Sequence, residues 1–440
     1  LDFQLKNKEK FNIVIGNPPY IRKNLLKGNQ IQQCKAIHAE ARLSSNQPKN
    51  LWTAFLVSCI KFVAESGILA FVLPAEFLQV KFAKELRDLL LKEFQRIEVF
   101  TFNDLLFDDC KGQDTVLLIA ERESDTHGVF YCNIDKVTDL KTMKYSLVQN
   151  AKIKDSKWTH HHLDSEEIEL IERLGSQIKP IDNYCSSKAG IVTAANNYFI
   201  VNENIIEKYG LSELAKQIIQ TGIFVNGSVE VDERDFLNLV NSKKPAFLIA
   251  IDKKTPIPKG ARLWDYIDEG VTMGLDKRYK MSLRERWYEV PNIGTVPEGF
   301  FFKRCNQYPK LIKNSADLLV TDSAYKITMR EGYDVESLIY SFYNSLTLAF
   351  AELRGRYYGG GVLELTPNEF KALPTPYVII NKDGFKEYNA KFKIKKSISE
   401  ICGSNDLPLL KSIDKQLDSD TIHKIALIRE KLCMRRLKKI

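Results

Sequence analysis

The sequence of 440 residues has no apolar run near the ~18 residues that a membrane-spanning helix needs. Its best stretch, Gly67 to Pro74, is short and closes at a proline, so no membrane association is expected. The eight cysteines, at 34, 59, 110, 132, 185, 305, 402 and 433, include no C-x-x-C pair. Neither a zinc site nor a disulfide framework is expected, and a reducing cytoplasm is the natural location. The run His160 to His162 has adjacent rings pointing in different directions and no Cys or carboxylate at ligand spacing, so no metal is expected there. Residues Leu1 to Lys10 lack a signal-peptide core, and the chain reads as starting inside a running domain, which leads us to expect a missing N-terminal segment.

One-sided charge is also scarce over most of the chain. The net +8 arises almost entirely after residue 381, where 15 Lys/Arg face 8 Asp/Glu, against 49 and 48 before it. A basic tail suits nucleic acid, and a solvated helix suits the same residues.

What is present is an ordinary globular composition, 44% hydrophobic and 10% aromatic. Phe11 to Ile15 reads as a buried strand stopped by Asn-Pro-Pro. A helix is expected over Leu51 to Ala64, broken by Glu65-Ser66-Gly67 before a parallel strand, Ile68 to Leu73. A second helix, Lys81 to Phe94, precedes strands at Ile97 to Phe102 and Thr115 to Ala120, separated by a turn at Asp108 to Gln113. This order predicts an α/β fold, the rear half of a doubly wound sheet, over residues 1–125. Mixed α+β segments follow over 126–381, with helices at Ser165 to Leu174 and Val335 to Leu353, and a basic helical tail occupies 382–440.

The motif with chemical content is Asn17-Pro18-Pro19-Tyr20. An exocyclic amine on a base, or an amide nitrogen, is a poor nucleophile because its lone pair is delocalised. The Asn17 side-chain carbonyl and the Pro18 main-chain carbonyl could accept both N–H hydrogens and free that lone pair for an electrophile. Tyr20 offers a flat face for stacking, worth ~1–3 kcal/mol per base. A plain strand-ending turn also satisfies the four residues alone.

With its surrounding strands and helices, this segment resembles the N6-adenine DNA methyltransferases of restriction-modification systems, a family with a Rossmann-like S-adenosylmethionine-dependent domain and a C-terminal target-recognition domain. The resemblance implies that Asn17, Pro18 and Tyr20 are catalytic and that Asp2, Phe3 and Phe55, the last within Asn50-Leu-Trp-Thr-Ala-Phe55, contact the S-adenosylmethionine cofactor. It implies that an aromatic, Phe82 or Phe77, faces the extruded base opposite Tyr20. Core packing accounts for Phe55, Phe77 and Phe82 equally well. Gly190-Ile-Val-Thr-Ala, Tyr198-Phe199-Ile200, Arg286-Trp287-Tyr288 and Gly359 to Pro367 look like recognition-domain landmarks, with Arg286, Arg354 and Arg356 as substrate-binding cations on double-stranded DNA. Arg354 and Arg356 equally fit a helix C-terminus stabilised by cations.

The family's Gly-rich cofactor loop is not found in these 440 residues, so an upstream segment or partner subunit is expected to supply it, with a nuclease as a further upstream expectation. Two other readings fit the same residues: a catalytically inactive DNA-recognition module or specificity subunit, and an RNA or protein N-methyltransferase.

Overall fold

The computed structural model describes residues 9–437 except 45–47, 103–113, 143–144, 150–157, 160–162, 226, 259 and 359. Asp2, Phe3, the turn at 108–113 and the His160 to His162 run therefore lie outside the described residues. The chain divides into two compact units. The first comprises residues 1–172, 356–362 and 434–440, and the second 173–355 and 363–433.

The first unit is built on strands β1 (Phe11–Gly16), β2 (Val63–Pro74), β3 (Arg96–Phe102), β4 (Thr115–Glu121), β5 (Gly128–Ile134) and β6 (Val148–Gln149), in the order β1-β2-β4-β3-β5-β6. β1 runs parallel to β2 and β3 parallel to β5, whereas β4 is inserted antiparallel between β2 and β3. The expected boundary at residue 125 moves to 172, because β5 pairs along its whole length with β3.

Helices α1 (Gly28–Glu40), α2 (Leu51–Ile60) and α3 (Lys84–Glu93) belong to this unit. Trp52, Leu56, Val57 and Ile60 of α2 and Leu86 and Leu90 of α3 bury against Leu69, Phe71, Leu73, Val99, Val116 and Leu118 of the sheet. Each such side chain contributes about 1.5–3 kcal/mol relative to exposure.

Two local expectations are corrected. Glu65-Ser66-Gly67 does not break a helix: α2 has already ended at Ile60, and the three residues form an irregularity inside β2, where pairing passes from Phe11↔Val63 to Ile13↔Ile68. A Cβ on Gly67 would lie 2.9 Å from the Phe11 carbonyl oxygen, so the close strand approach needs glycine. β1 is not buried either. It is the edge strand, and while Val14 packs into the core, Ile13 and Ile15 are 62% and 79% exposed. The helices cover one face of the sheet, so an alternating strand there buries only every second residue.

The second unit is α+β. Its five-stranded sheet orders Glu230–Val231, Lys310–Asn314, Gly299–Phe302, Ala324–Met329 and Cys185–Ala189, and its four-stranded sheet orders Leu319–Val320, Ala215–Ile219, Phe247–Ile249 and Ile200–Val201. The expected helix Val335 to Leu353 is two helices, Val335–Phe342 and Ser345–Arg354; Asn344 between them caps the second by accepting from Thr347 N at 2.8 Å.

The C-terminal segment is not a solvated tail. Helices Lys382–Lys393 and Ile398–Lys411 bury Phe385, Tyr388, Phe392, Ile401, Leu409 and Leu410. Buried Asp406 accepts from Ser345 N at 2.7 Å, which locks this layer onto the start of the Ser345–Arg354 helix. The last residues return to the first unit, where Arg436 donates to the Gly361 carbonyl.

Candidate active site

β1 and β2 are parallel neighbours, so the loops that follow them, residues 17–22 and 75–80, leave the same edge of the sheet. In open α/β sheets that edge is where ligands bind. Gly16 is required by packing at this point, since a Cβ there would lie 2.5 Å from the buried Phe71 ring. The next residue, Asn17, is exposed, Pro18 is buried and Tyr20 is half-buried. The structure thus presents the Asn17 side chain at the end of a strand whose last residue is fixed by the core.

The loop is pinned on both sides. The Tyr20 hydroxyl donates to the Val72 carbonyl at 3.1 Å. Leu51 N donates to the Ile21 carbonyl at 2.8 Å, Lys23 N donates to the Lys49 carbonyl at 3.0 Å, and Arg22 and Asn50 form an antiparallel bridge. Asn50 precedes α2 and is itself buried, with its Oδ1 lacking a hydrogen-bond partner among the described residues.

Behind the loop lies an aromatic cluster. Trp52 is fully buried, with Phe77 edge-on at 6.1 Å and Phe82 tilted at 6.2 Å. Phe77 also meets Trp158 edge-on at 5.6 Å and is inaccessible. Of the two aromatics considered for the base-facing role, Phe77 is therefore core, and Phe82 is half-buried. Buried Arg87 donates to the Phe77 and Val80 carbonyls and fixes the turn between them.

Glu76, Arg22 and Asn50 were not singled out from the sequence. The Trp52 Nε1 donates to the Glu76 carboxylate at 3.4 Å. Burial pushes that carboxyl above the ordinary carboxylate range, opposed by the indole hydrogen bond and by nearby Arg22 and Arg356. A charged residue two positions after the proline that closes an apolar strand, as in Leu73-Pro74-Ala75-Glu76, was the available signal. Arg356 joins this unit through its own segment, in which Tyr357 N donates to Gln79 Oε1 at 2.9 Å.

Of the three residues assigned to the cofactor, Phe55 alone falls among those described. It is half-buried on α2, one turn beyond Asn50, against a small cluster of Cys34, Leu51 and Ala54.

The remaining cations are placed differently from expectation. Arg286 pairs with Glu289 at 2.7 Å and donates to the Asp252 and Thr255 carbonyls; Arg284 donates to the Thr193 and Glu289 carbonyls. Arg354 donates to the Ala372 carbonyl and lies 4.7 Å from the Phe350 ring centroid. These three Arg residues hold the second unit together. Tyr198 stacks on Tyr266 at 4.4 Å, so the aromatic landmarks of this unit are core residues. Among the described residues no group of three or more His, Cys, Asp or Glu could hold a metal, and no helix is long and apolar enough to cross a membrane.

Residues 155–410 match the family model described as the type II methyltransferase M.Eco57I, C-terminal domain, and residues 2–107 match the Eco57I restriction-modification methylase. The chain is 23% identical over 435 residues to type II methyltransferase M.AccI of Acinetobacter calcoaceticus, covering 91% of this chain and 76% of that protein. It is 25% identical over 210 residues to the type II restriction enzyme and methyltransferase RM.Eco57I of Escherichia coli, covering 46% of this chain and 20% of that one. Among solved structures it resembles the type IIL restriction-modification enzyme MmeI in complex with DNA, with a TM-score of 0.58, 12% identity, and coverage of 96% of this chain and 57% of that chain. This last likeness is one of fold. The chain spans little more than half of that solved structure and a fifth of RM.Eco57I.

Proposed function

The chain belongs to the family of the type II methyltransferase M.Eco57I C-terminal domain, a restriction-modification methylase family, and from that membership we propose that it methylates adenine N6 in a specific duplex DNA sequence. The observation that carries the reading is the Asn17-Pro18-Pro19-Tyr20 loop at the carboxyl end of β1, with Tyr20 tethered to Val72 and half-buried Phe82 packed on Trp52 behind it.

In this reading the target adenine leaves the helix, because its N6 is otherwise enclosed by the stack. Tyr20 and Phe82 supply flat surfaces for the extruded base. The Asn17 side-chain carbonyl and the Pro18 main-chain carbonyl accept the two N6 hydrogens, which draws the nitrogen toward a tetrahedral geometry. Asp2, Phe3 and Phe55 would hold S-adenosylmethionine, which would supply the electrophilic methyl group as its carbon–sulfur bond breaks to leave a neutral thioether. The second unit serves as the target-recognition domain.

β1 is an edge strand with an exposed apolar face, and this supports a further part of the reading: another strand-bearing segment, from upstream or from a partner subunit, completes the sheet. A fused nuclease belongs to the same proposal.

The test is transfer of labelled methyl from S-adenosylmethionine to duplex DNA, followed by nucleoside digestion, with Asn17→Ala as control. N6-methyladenine formed by the wild type and reduced ~100–1,000-fold by the substitution supports the reading. S-adenosylmethionine binding without transfer to any duplex, or no binding at all, favours the inactive recognition module. Label on RNA or protein alone favours the other substrate classes.

A further inference from the structure

We propose that residues Lys277 to Lys280, an exposed segment after the helix Leu263–Thr272 of the second unit, are a duplex-DNA contact, with Lys277, Arg278 and Lys280 on phosphates and Tyr279 laid against a sugar or base. This rests on the DNA-methyltransferase reading and deepens it, since the arginines first singled out in this unit are committed to internal carbonyls and to Glu289.

The segment is rigid and exposed at once. The helix Leu263–Thr272 ends at Gly274, whose φ of +68° reverses the chain so that Leu275 enters the core. Six residues later Met281 is buried again, fully inaccessible. Between these two anchors the backbone is tied by Arg278 N to the Leu275 carbonyl at 3.1 Å, Met281 N to the Arg278 carbonyl at 2.8 Å and Ser282 N to the same carbonyl at 2.9 Å. A segment held this way loses little further backbone entropy on binding.

Its side chains point outward with no structural task. Lys277, Arg278 and Lys280 are exposed, and among the described residues none of them forms an ion pair. Tyr279 is 78% exposed and Leu283, one turn on, 69%. A tyrosine left this open on an ordered turn contributes nothing to the core, and three cations around it are unneutralised by the fold, with Asp276 the acid at the start of the turn. Glu285, further along, is engaged by Lys253 at 3.2 Å. Cations interleaved with an aromatic fit a polyanion that also offers flat, apolar surfaces. Duplex DNA has both. An acidic protein surface would use the cations but leave Tyr279 and Leu283 without a matched partner.

The experiment is a salt titration of DNA affinity for the full 440-residue chain, comparing wild type, the triple variant Lys277→Ala, Arg278→Ala, Lys280→Ala, and Tyr279→Ala. A control pair, Lys243→Ala with Lys244→Ala, removes exposed charge elsewhere in the same unit. Each phosphate contact contributes about 0.9 to the slope of log affinity against log salt, so the triple variant should flatten it by roughly two to three units while the control pair leaves it nearly unchanged. Tyr279→Ala should weaken binding roughly 5- to 150-fold with the slope preserved. Equal losses in the triple variant and the control pair would overturn the inference, as would unchanged slopes in a wild type that binds DNA; either result leaves the methyltransferase reading standing. A wild type that binds no duplex at low salt would overturn both. An RNA duplex of the same sequence bound as tightly, with the same dependence on the segment, would overturn the assignment to DNA.

Discussion

The Tyr20 hydroxyl donates to the Val72 carbonyl across 3.1 Å, joining the loop after β1 to the end of β2. One residue thereby does two things: its ring is offered at the site, and its phenol fixes where the ring stands. Tyr20→Phe should keep stacking and lose the tether, whereas Tyr20→Ala should lose both. The tether is worth about 0.5–1.5 kcal/mol. We expect Tyr20→Phe to lower turnover severalfold with 2-aminopurine fluorescence at the target position nearly preserved, and Tyr20→Ala to abolish the fluorescence rise. Equal behaviour of the two variants would assign the effect to the hydroxyl tether alone.

Gly16→Ala should disturb the site from beneath. The added methyl would lie 2.5 Å from the Phe71 ring, which has no room to move. Overpacking of this kind costs about 1–3 kcal/mol and displaces the neighbouring Asn17. Denaturant unfolding and activity should both fall, and adding Phe71→Leu should recover part of the stability.

His38 gives the first unit a pH dependence. It is buried, its Nε2 is 3.1 Å from Thr53 Oγ1, and Thr53 Oγ1 donates to the Asn50 carbonyl at 2.7 Å. The network therefore assigns the imidazole proton to Nε2 and leaves Nδ1 buried without a partner among the described residues, where a second proton is unwelcome. Burial pulls the group down to about 4. The unfolded chain takes up this proton near pH 6.5 and the folded one only near 4. Stability is thus full above the higher value and falls as pH drops through the interval, by on the order of 2–3 kcal/mol. Urea unfolding at pH 7.5 and 4.5 should show this loss, and His38→Gln should reduce it.

Replacing Arg286 or Arg354 by Ala should lower the melting temperature of the second unit more than it alters the salt dependence of DNA binding. Each loss removes hydrogen bonds to backbone carbonyls, and Arg286→Ala also strands buried Glu289. A flattened salt slope with unchanged stability would return these residues to the DNA surface.

Deleting residues 382–440 should not give a folded protein of weakened DNA affinity, as a diffuse basic tail would. It removes Phe385, Phe392, Ile401, Leu409 and Leu410 from the core and the Asp406 carboxylate from Ser345 N. We expect insoluble protein or loss of cooperative unfolding. A soluble, cooperatively folding truncation would show that the helical layer is dispensable.

The sequence by itself determined the strand-helix-strand order of the first unit and the Asn17-Pro18-Pro19-Tyr20 loop at a strand's carboxyl end. Both are local matters: prolines stop strands, and apolar periodicity sets each element. Everything that depends on partners distant in the chain needed the tertiary structure. Phe77 and Phe82 are alike in sequence, and only packing against Trp52 and Trp158 makes one core and leaves the other half open. Arg286, Arg354, Lys277, Arg278 and Lys280 are all basic positions near aromatics, yet the first two are engaged by carbonyls and Glu289 while the other three stay exposed. A basic composition after residue 381 hid an amphipathic layer, because charge counts average over the buried and exposed faces of a helix while the core sees only one.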